Sequence, residues 1–315
     1  MKKRIQVIIG ILSGLIIVVS ASLIILYQPD IPVEGLIEKY AQSPSKFITV
    51  MDMPVHYRDE GDPSDSIPLV LLHGTSSSLH TWDSCTSAWA TRHRVVRMDL
   101  PGFGLTGPNP TMDYSIDMYV KFLESFLQQQ NIEQCYLAGN SLGGLIAVYY
   151  AAAFPDKVKK LILLDPAGYP IKNAKGSLGF TLAKIPVLNK ILTIATPRSI
   201  VRKSLEDVYG NKARVTDALV EQYHDLTCRA GNRQALLARL TMDQKGDTTV
   251  ISKVPMPTLI VWGAEDQLIP IDNAYKFQRD LPMDTLVVCP GVGHVPMEES
   301  PELVIPLVSK FIHKN

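Results

Sequence analysis

Cys135-Tyr136-Leu137-Ala138-Gly139-Asn140-Ser141-Leu142-Gly143-Gly144 is the stretch on which the reading of the fold turns. It opens as an apolar strand and passes through Gly139-Asn140-Ser141-Leu142-Gly143. It then runs into residues 145–154, an apolar segment rich in helix-forming alanine. Strand, sharp turn and helix therefore meet at a serine. The G-x-S-x-G spacing has a steric origin. So tight a turn forces its apical residue into a strained conformation and leaves no room for side chains on its neighbours. The helix behind it directs backbone N–H groups and the positive end of its dipole at the hydroxyl. A glycine-rich turn with an incidental serine would spell the same letters, so partners elsewhere in the chain must decide.

Working outward, residues 68–72, 94–100, 135–138 and 158–164 read as apolar strands, with helical patterns at 81–90 and 113–130 between them. Alternation of this kind predicts a mostly parallel sheet with helices on both faces, an α/β fold. Upstream, residues 47–50 and 55–58 form a hairpin around Met51-Asp52-Met53-Pro54. From residue 169 to about residue 255 there are helical patterns and no convincing strand. Residues 258–262 restart the alternation, followed by a helix at 271–280, a strand at 285–289 and a last helix at 301–314. The expected organisation is a sheet core over 46–168 and 256–315, interrupted by a helical cap over 169–255.

The chain has 315 residues, 46% of them hydrophobic and 20% charged, which is a globular composition. Lys and Arg number 31 and Asp and Glu 31, so no global charge points to nucleic acid. The N-terminus stands apart. Lys2-Lys3-Arg4 precedes an uncharged run over residues 5–27, long enough for the roughly 20 apolar residues that span a bilayer core. A cleaved signal has a shorter apolar region ending at a small-residue site, whereas here Leu23-Ile24-Ile25-Leu26 follows Ser20-Ala21-Ser22. Residues 1–27 are therefore expected to be a membrane anchor, and 28–45 a tether carrying a short amphipathic helix at 33–40. Basic residues before the run place the N-terminus inside and the catalytic bulk outside the cytoplasm. Cleavage would make the protein secreted. Cys85, Cys135, Cys228 and Cys289 show no metal spacing; Cys135 and Cys289 fall in strand candidates and read as buried thiols.

A serine hydroxyl needs a base, and the base needs an orienting acid. Two late strand ends supply them. Trp262-Gly263-Ala264-Glu265-Asp266 follows one strand and Pro290-Gly291-Val292-Gly293-His294 follows the next, both beyond C-terminal strand ends where such sheets build sites. The candidates are Ser141 as nucleophile, His294 as base and Asp266 as acid, with Glu265 and the strand-end Asp165 as competing acids. The other histidines, His56, His73, His80, His93, His224 and His313, lack this setting. Donors for a developing oxyanion are expected from the N–H of Leu142 and from Thr75, just after His73-Gly74.

With these residues in place, the chain resembles a capped α/β-hydrolase of the serine esterase and lipase type. The matching stretches are Val55-His-Tyr-Arg-Asp-Glu-Gly61, Leu72-His-Gly-Thr75, Asp99-Leu-Pro-Gly-Phe-Gly104, Gly139-Asn-Ser-Leu-Gly-Gly144, Trp262-Gly-Ala-Glu-Asp266 and Gly293-His294, within residues 47–315. The order Ser141, Asp266, His294 matches the chain order of the family's triads. The resemblance implies those three as triad, with Thr75 and Leu142 as the oxyanion hole. Serine at the apex argues against epoxide hydrolases and haloalkane dehalogenases, which carry Asp there. Gly-Asn-Ser-x-Gly-Gly is also similar to carbon–carbon hydrolases of ring-cleavage products, but those typically follow the catalytic His with Trp, and here Val295 follows.

Gly102-Phe103-Gly104-Leu105-Thr106-Gly107 matches a dinucleotide fingerprint, yet Pro108-Asn109-Pro110 forbids the helix that the motif must open. With no Walker A or H-E-x-x-H either, neither cofactor nor metal is expected. Between Pro170 and Leu205 the charged residues are all basic: Lys172, Lys175, Lys184, Lys190, Arg198, Arg202 and Lys203, interleaved with apolar residues including Phe180. They suit either an anionic membrane surface or a cap helix with its apolar side on the site. The expectation is a membrane-anchored hydrolase of apolar, lipid-like carboxylic esters. Acyl transfer and a non-catalytic receptor on the same fold are the alternatives.

Overall fold

The computed structural model describes residues 26–171, 188–242 and 247–314, with 6, 10, 13, 14, 181 and 185 as isolated positions. Among the described residues one eight-stranded sheet runs in the order β1-β2-β4-β3-β5-β6-β7-β8. The strands are β1 (Ser45–Val50), β2 (Met53–Glu60), β3 (Leu69–Leu72), β4 (Val95–Met98), β5 (Cys135–Asn140), β6 (Val158–Leu164), β7 (Thr258–Gly263) and β8 (Asp284–Cys289). β2 runs antiparallel to β1 and β4, and the remaining pairs are parallel. The hairpin turns on Met51 and Asp52, at φ 49° and 63°. This two-residue geometry matches strand twist, and it is tighter than the expected turn because Met53 already pairs with Val50.

The helices are α1 (Val33–Tyr40), α2 (Asp83–Trp89), α3 (Ile116–Gln129), α4 (Leu142–Ala153), α5 (Leu188–Leu192), α6 (Arg198–Val208), α7 (Asp217–Cys228), α8 (Asn232–Thr241), α9 (Asp272–Asp280), α10 (Pro296–Glu299) and α11 (Pro301–His313). Successive strand residues face opposite sides of the sheet. Leu72, Leu137, Leu163 and Trp262 enter one apolar layer under α3, α4 and α9. Leu71, Ala138, Leu164 and Val261 enter the other, under α2 and α11. The expected helix at 113–130 starts later. Asp113 binds Ser115 N (2.8 Å) and Ser115 Oγ caps Met118 N (3.3 Å), so the first residues are spent on the cap. The pattern at 81–90 divides into a 3₁₀ turn over Leu79–Trp82 and then α2.

Between β6 and β7 the described residues form α5–α8 and short 3₁₀ turns, with no strand. Residues 28–45 are not a loose tether. Gln28 N donates to Ile194 O (2.8 Å), Ile31 N to Cys228 O (2.8 Å), and Ala230 N back to Ile31 O (2.9 Å). Lys39 reaches Glu221 and Asp225 at 2.7 and 2.8 Å, and the Tyr40 hydroxyl donates to Asp225 (2.9 Å). Leu36 is buried against Leu105 and Leu226. The segment is thus a strap, binding the entrance of the chain to the cap. The expected anchor, residues 1–27, lies outside the described residues except at positions 6, 10, 13, 14, 26 and 27. Among the described residues no helix is long and apolar enough to cross a membrane. All four cysteines are free and buried.

Candidate active site

Ser141 stands between β5 and α4 with φ 53° and ψ −114°, the strained conformation that the turn demands. The two flanking glycines are required by contact. A Cβ on Gly139 would lie 2.3 Å from Gly143 O, and one on Gly143 would lie 2.3 Å from Leu72 O. α4 can approach β3 and β5 this closely only without those side chains, and that approach sets the first N–H of the helix, Leu142, directly behind the serine. Ser141 N also donates to Leu164 O (3.1 Å), which ties the elbow to the end of β6.

His294 lies on the loop after β8 and is 3% exposed. Its Nδ1 is hydrogen-bonded to Asp266 Oδ2 at 2.7 Å. Asp266 Oδ1 accepts from Leu268 N (2.8 Å) and Ile269 N (2.9 Å), so the carboxylate is gripped from both sides. Glu265 points into solvent and drops out as a rival acid. Asp165 is fully buried beside Asp266. Burial, together with the neighbouring Asp266 charge, pushes its carboxyl well above the usual range. Its Oδ1 accepts from Gly263 N (2.9 Å). Asp165 thereby supports the loop that carries Asp266.

Thr75 lies on the loop after β3. His73, at its root, is fully buried, and burial lowers its pKa. The imidazole is neutral: Nε2 accepts from Leu100 N (2.9 Å), so Nδ1 carries the hydrogen and donates to Gly74 O (2.7 Å). Gly74 abuts the elbow so closely that a Cβ there would meet Asn140 Oδ1 at 2.8 Å and Ser141 Cβ at 3.1 Å. The glycine-rich loop after β4 closes on itself through Gly102 N to Gly107 O (2.7 Å), with Asp99 accepting from Leu105 N (2.8 Å). No helix opens there, and the next begins at Ile116.

Four supporting side chains escaped the sequence reading. Asn140 Nδ2 donates to Leu164 O (3.0 Å) and His294 O (2.9 Å), joining the serine elbow to the histidine loop. Glu299, 1% exposed, accepts from Gly293 N (2.7 Å), Gly210 N (3.1 Å) and Asn211 N (2.6 Å), joining that loop to the cap. Tyr223 on α7 donates to Glu298 (2.7 Å), which also accepts from Thr81 (2.7 Å), while Ser77 lies 3.1 Å from the Tyr223 hydroxyl. Burial raises the Glu298 carboxyl and, with the Glu298 charge, holds the phenol far above its ordinary range. Only Asn140 had a signal in the sequence, its place inside the serine motif.

Ser141, Thr75 and His294 line one cavity of about 180 Å³. Nδ1 of His294 being committed to Asp266, Nε2 remains for the cavity. α6 contributes Ile200, Val201, Leu205 and Val208, and α8 contributes Leu236 and Leu237. The apolar side of α6 therefore faces the site. Arg198 lies near Glu221 and Asp225 (3.9 Å each), while Arg202 pairs with Asp217 and Lys203 with Asp207. Lys172, Lys175, Lys184 and Phe180 lie outside the described residues. Asp165, Asp266 and His294 offer ligand atoms within 4.8 Å of one another. His294 Nδ1 is already bonded to Asp266 and Asp165 Oδ1 to Gly263 N, so these atoms are committed within the protein.

A serine elbow, a histidine–acid pair and a capped apolar cavity on this sheet define the α/β-hydrolase class, and the family model for that fold matches residues 67–301. The chain belongs to this family and is a hydrolase. It is 26% identical over 277 residues to the uncharacterised hydrolase YugF of Bacillus subtilis, covering 86% of this chain and 99% of that one. It is 28% identical over 256 residues to Lipase 3 of a Moraxella species, covering 76% of each. It is 26% identical over 266 residues to 2-hydroxy-6-oxo-6-(2'-aminophenyl)hexa-2,4-dienoic acid hydrolase of Metapseudomonas resinovorans, covering 82% of this chain and 87% of that one. The solved meta-cleavage product hydrolase of Pseudomonas fluorescens shares the fold, with a TM-score of 0.75 at 22% identity over 85% of this chain and 97% of that one.

Proposed function

We propose that the protein cleaves carboxylic esters of apolar substrates through a covalent acyl-enzyme. One observation carries this reading: a serine at a strained elbow shares an apolar cavity with a histidine whose far nitrogen is held by a carboxylate at 2.7 Å. His294 Nε2 takes the Ser141 proton as Oγ bonds to the ester carbonyl carbon. The carbonyl oxygen becomes an oxyanion, received by the N–H groups of Leu142 and Thr75. On collapse the ester C–O bond breaks, and His294 returns its proton to the leaving alkoxide. A water, deprotonated by His294, then attacks the acyl carbon, releasing the acid and free Ser141. Asp266 holds the imidazole in the required tautomer throughout. Ser141→Ala should lower kcat on a soluble p-nitrophenyl ester by about 10⁴–10⁶; unchanged hydrolysis would refute the assignment.

Carbon–carbon cleavage is the second reading, favoured by the similarity to the Metapseudomonas hydrolase. A wild-type protein that turns over a vinylogous dienoic-acid diketone and no ester would replace the first reading with this one.

Residues 1–27 we assign to a membrane anchor, with the hydrolase domain outside the cytoplasm. Lys2-Lys3-Arg4 before an uncharged run supports this. So does the exposure of Leu26, Tyr27 and Ile194 where the strap meets the cap. In fractionated cells the protein should resist alkaline extraction and be open to external protease; full release at high pH would refute the anchor.

A further inference from the structure

Hydrolysis of a purely apolar ester leaves one charged nitrogen among the cavity residues unused. Arg233, in the first turn of α8, is the only residue with a fixed charge among the described residues that line the cavity. It is 5% exposed. Nη2 donates to Asp30 Oδ1 (2.6 Å) and Gln28 O (2.8 Å), and Nε to Asp30 Oδ1 (3.2 Å). These two nitrogens suffice to hold the strap. Nη1 is closed off from water and has no hydrogen-bond partner. A charged donor buried in this way is costly, and such groups call for a missing ligand or water. Two further cavity residues, Ser76 and Asn189, also have buried oxygens without a partner. The same cavity is also lined by aliphatic Ile200, Val201, Leu205, Leu236 and Leu237.

We infer that Arg233 Nη1 receives an anionic oxygen of the substrate, so that the favoured esters carry a carboxylate or phosphate group separated from the scissile carbonyl by an alkyl spacer. The inference rests on the ester reading above. Asp30 orients the guanidinium and offsets part of its charge, and it is itself 36% exposed on its side chain. Only one nitrogen is free, so the contact is made by one nitrogen and not by the two-nitrogen fork of an open arginine–carboxylate pair. The aliphatic wall takes the spacer.

The test uses p-nitrophenyl hexanoates that bear at C6 a carboxylate, a phosphate or a neutral methyl ester. The full-length protein, Arg233→Gln and Asp30→Asn are compared by the ratio of kcat/KM for each anionic probe to that for the neutral one. The wild type should favour at least one anionic probe by about tenfold or more, mainly through KM. The probe that is favoured identifies carboxylate or phosphate. Arg233→Gln should bring the ratio to about one or below, and Asp30→Asn, which frees the guanidinium of its counter-charge, should raise it. If Arg233 only holds the strap, both variants shift all probes alike, and an unchanged ratio overturns the inference. A wild-type ratio of one or less overturns it as well. Failure to turn over any probe would instead refute the ester reading. The inference is then read from calorimetric binding to Ser141→Ala. About tenfold tighter binding of monomethyl pimelate than of dimethyl pimelate, lost on adding Arg233→Gln, supports it; equal binding overturns it.

Discussion

The raised pKa of Asp165 beside Asp266 has a consequence for stability that can be measured. Its folded pKa is raised, so the native state keeps a proton that the unfolded chain releases above about pH 4. Native stability therefore falls as pH rises through that window, until the folded group itself ionises. Asp165→Asn keeps an acceptor for Gly263 N, and it removes the titration. The melting temperature of this variant should rise relative to wild type between pH 4 and pH 7, with turnover held within a few-fold; a difference independent of pH would contradict the assignment. Glu299 acts through geometry, because three backbone N–H groups depend on it. Glu299→Ala should cost about 3 kcal/mol or more in urea unfolding, since it orphans buried donors. A loss below about 1 kcal/mol would show that water replaces the carboxylate. Ser141, Asp266 and His294 were legible because each stands at a strand end in a glycine-rich turn. Tyr223, Glu298 and Glu299 were not. An acid or a phenol reads as surface until its partners, as distant as Tyr223 and Thr81, are brought to it.

At the scale of elements, β3, β5 and α4 pack closely behind the serine, and two small residues permit it. Gly143→Ala would drive a methyl group to 2.3 Å from Leu72 O. It should cost about 3 kcal/mol or more, or yield no soluble protein. Gly35, inside α1, is the matched control, for nothing lies within 4 Å of its added Cβ. Gly35→Ala should be neutral or stabilising by up to about 1 kcal/mol. Equal losses at the two positions would show that the junction is looser than described. The strand–helix alternation was legible because buried parallel strands are short apolar runs between glycine-rich turns. The boundaries that shifted did so through local side-chain bonds, as at Ser115, which a hydrophobic pattern does not report.

Across the described residues, the strap, the helices between β6 and β7 and the sheet are joined by hydrogen bonds and apolar contacts. The strap looked like a tether because its residues are mixed in character and only Leu36 is deeply buried. Its exposed Lys39–Glu221 pair contributes little, and Leu36 adds an apolar contact with Leu105 and Leu226. Leu36→Ala should lower stability by about 2–4 kcal/mol, and a loss under about 0.5 kcal/mol would mean that the strap rides on the cap without supporting it. The cap's course over the cavity could not be read from the chain, because helical periodicity gives a buried face and not a direction. Its helices nevertheless decide what reaches the serine. The most direct test is intact-protein and peptide mass spectrometry after exposure to a fluorophosphonate at neutral pH. One adduct on the peptide containing Ser141, absent in Ser141→Ala and strongly slowed in His294→Ala, is the expected result. An adduct on another residue, or labelling that persists in Ser141→Ala, would contradict the account.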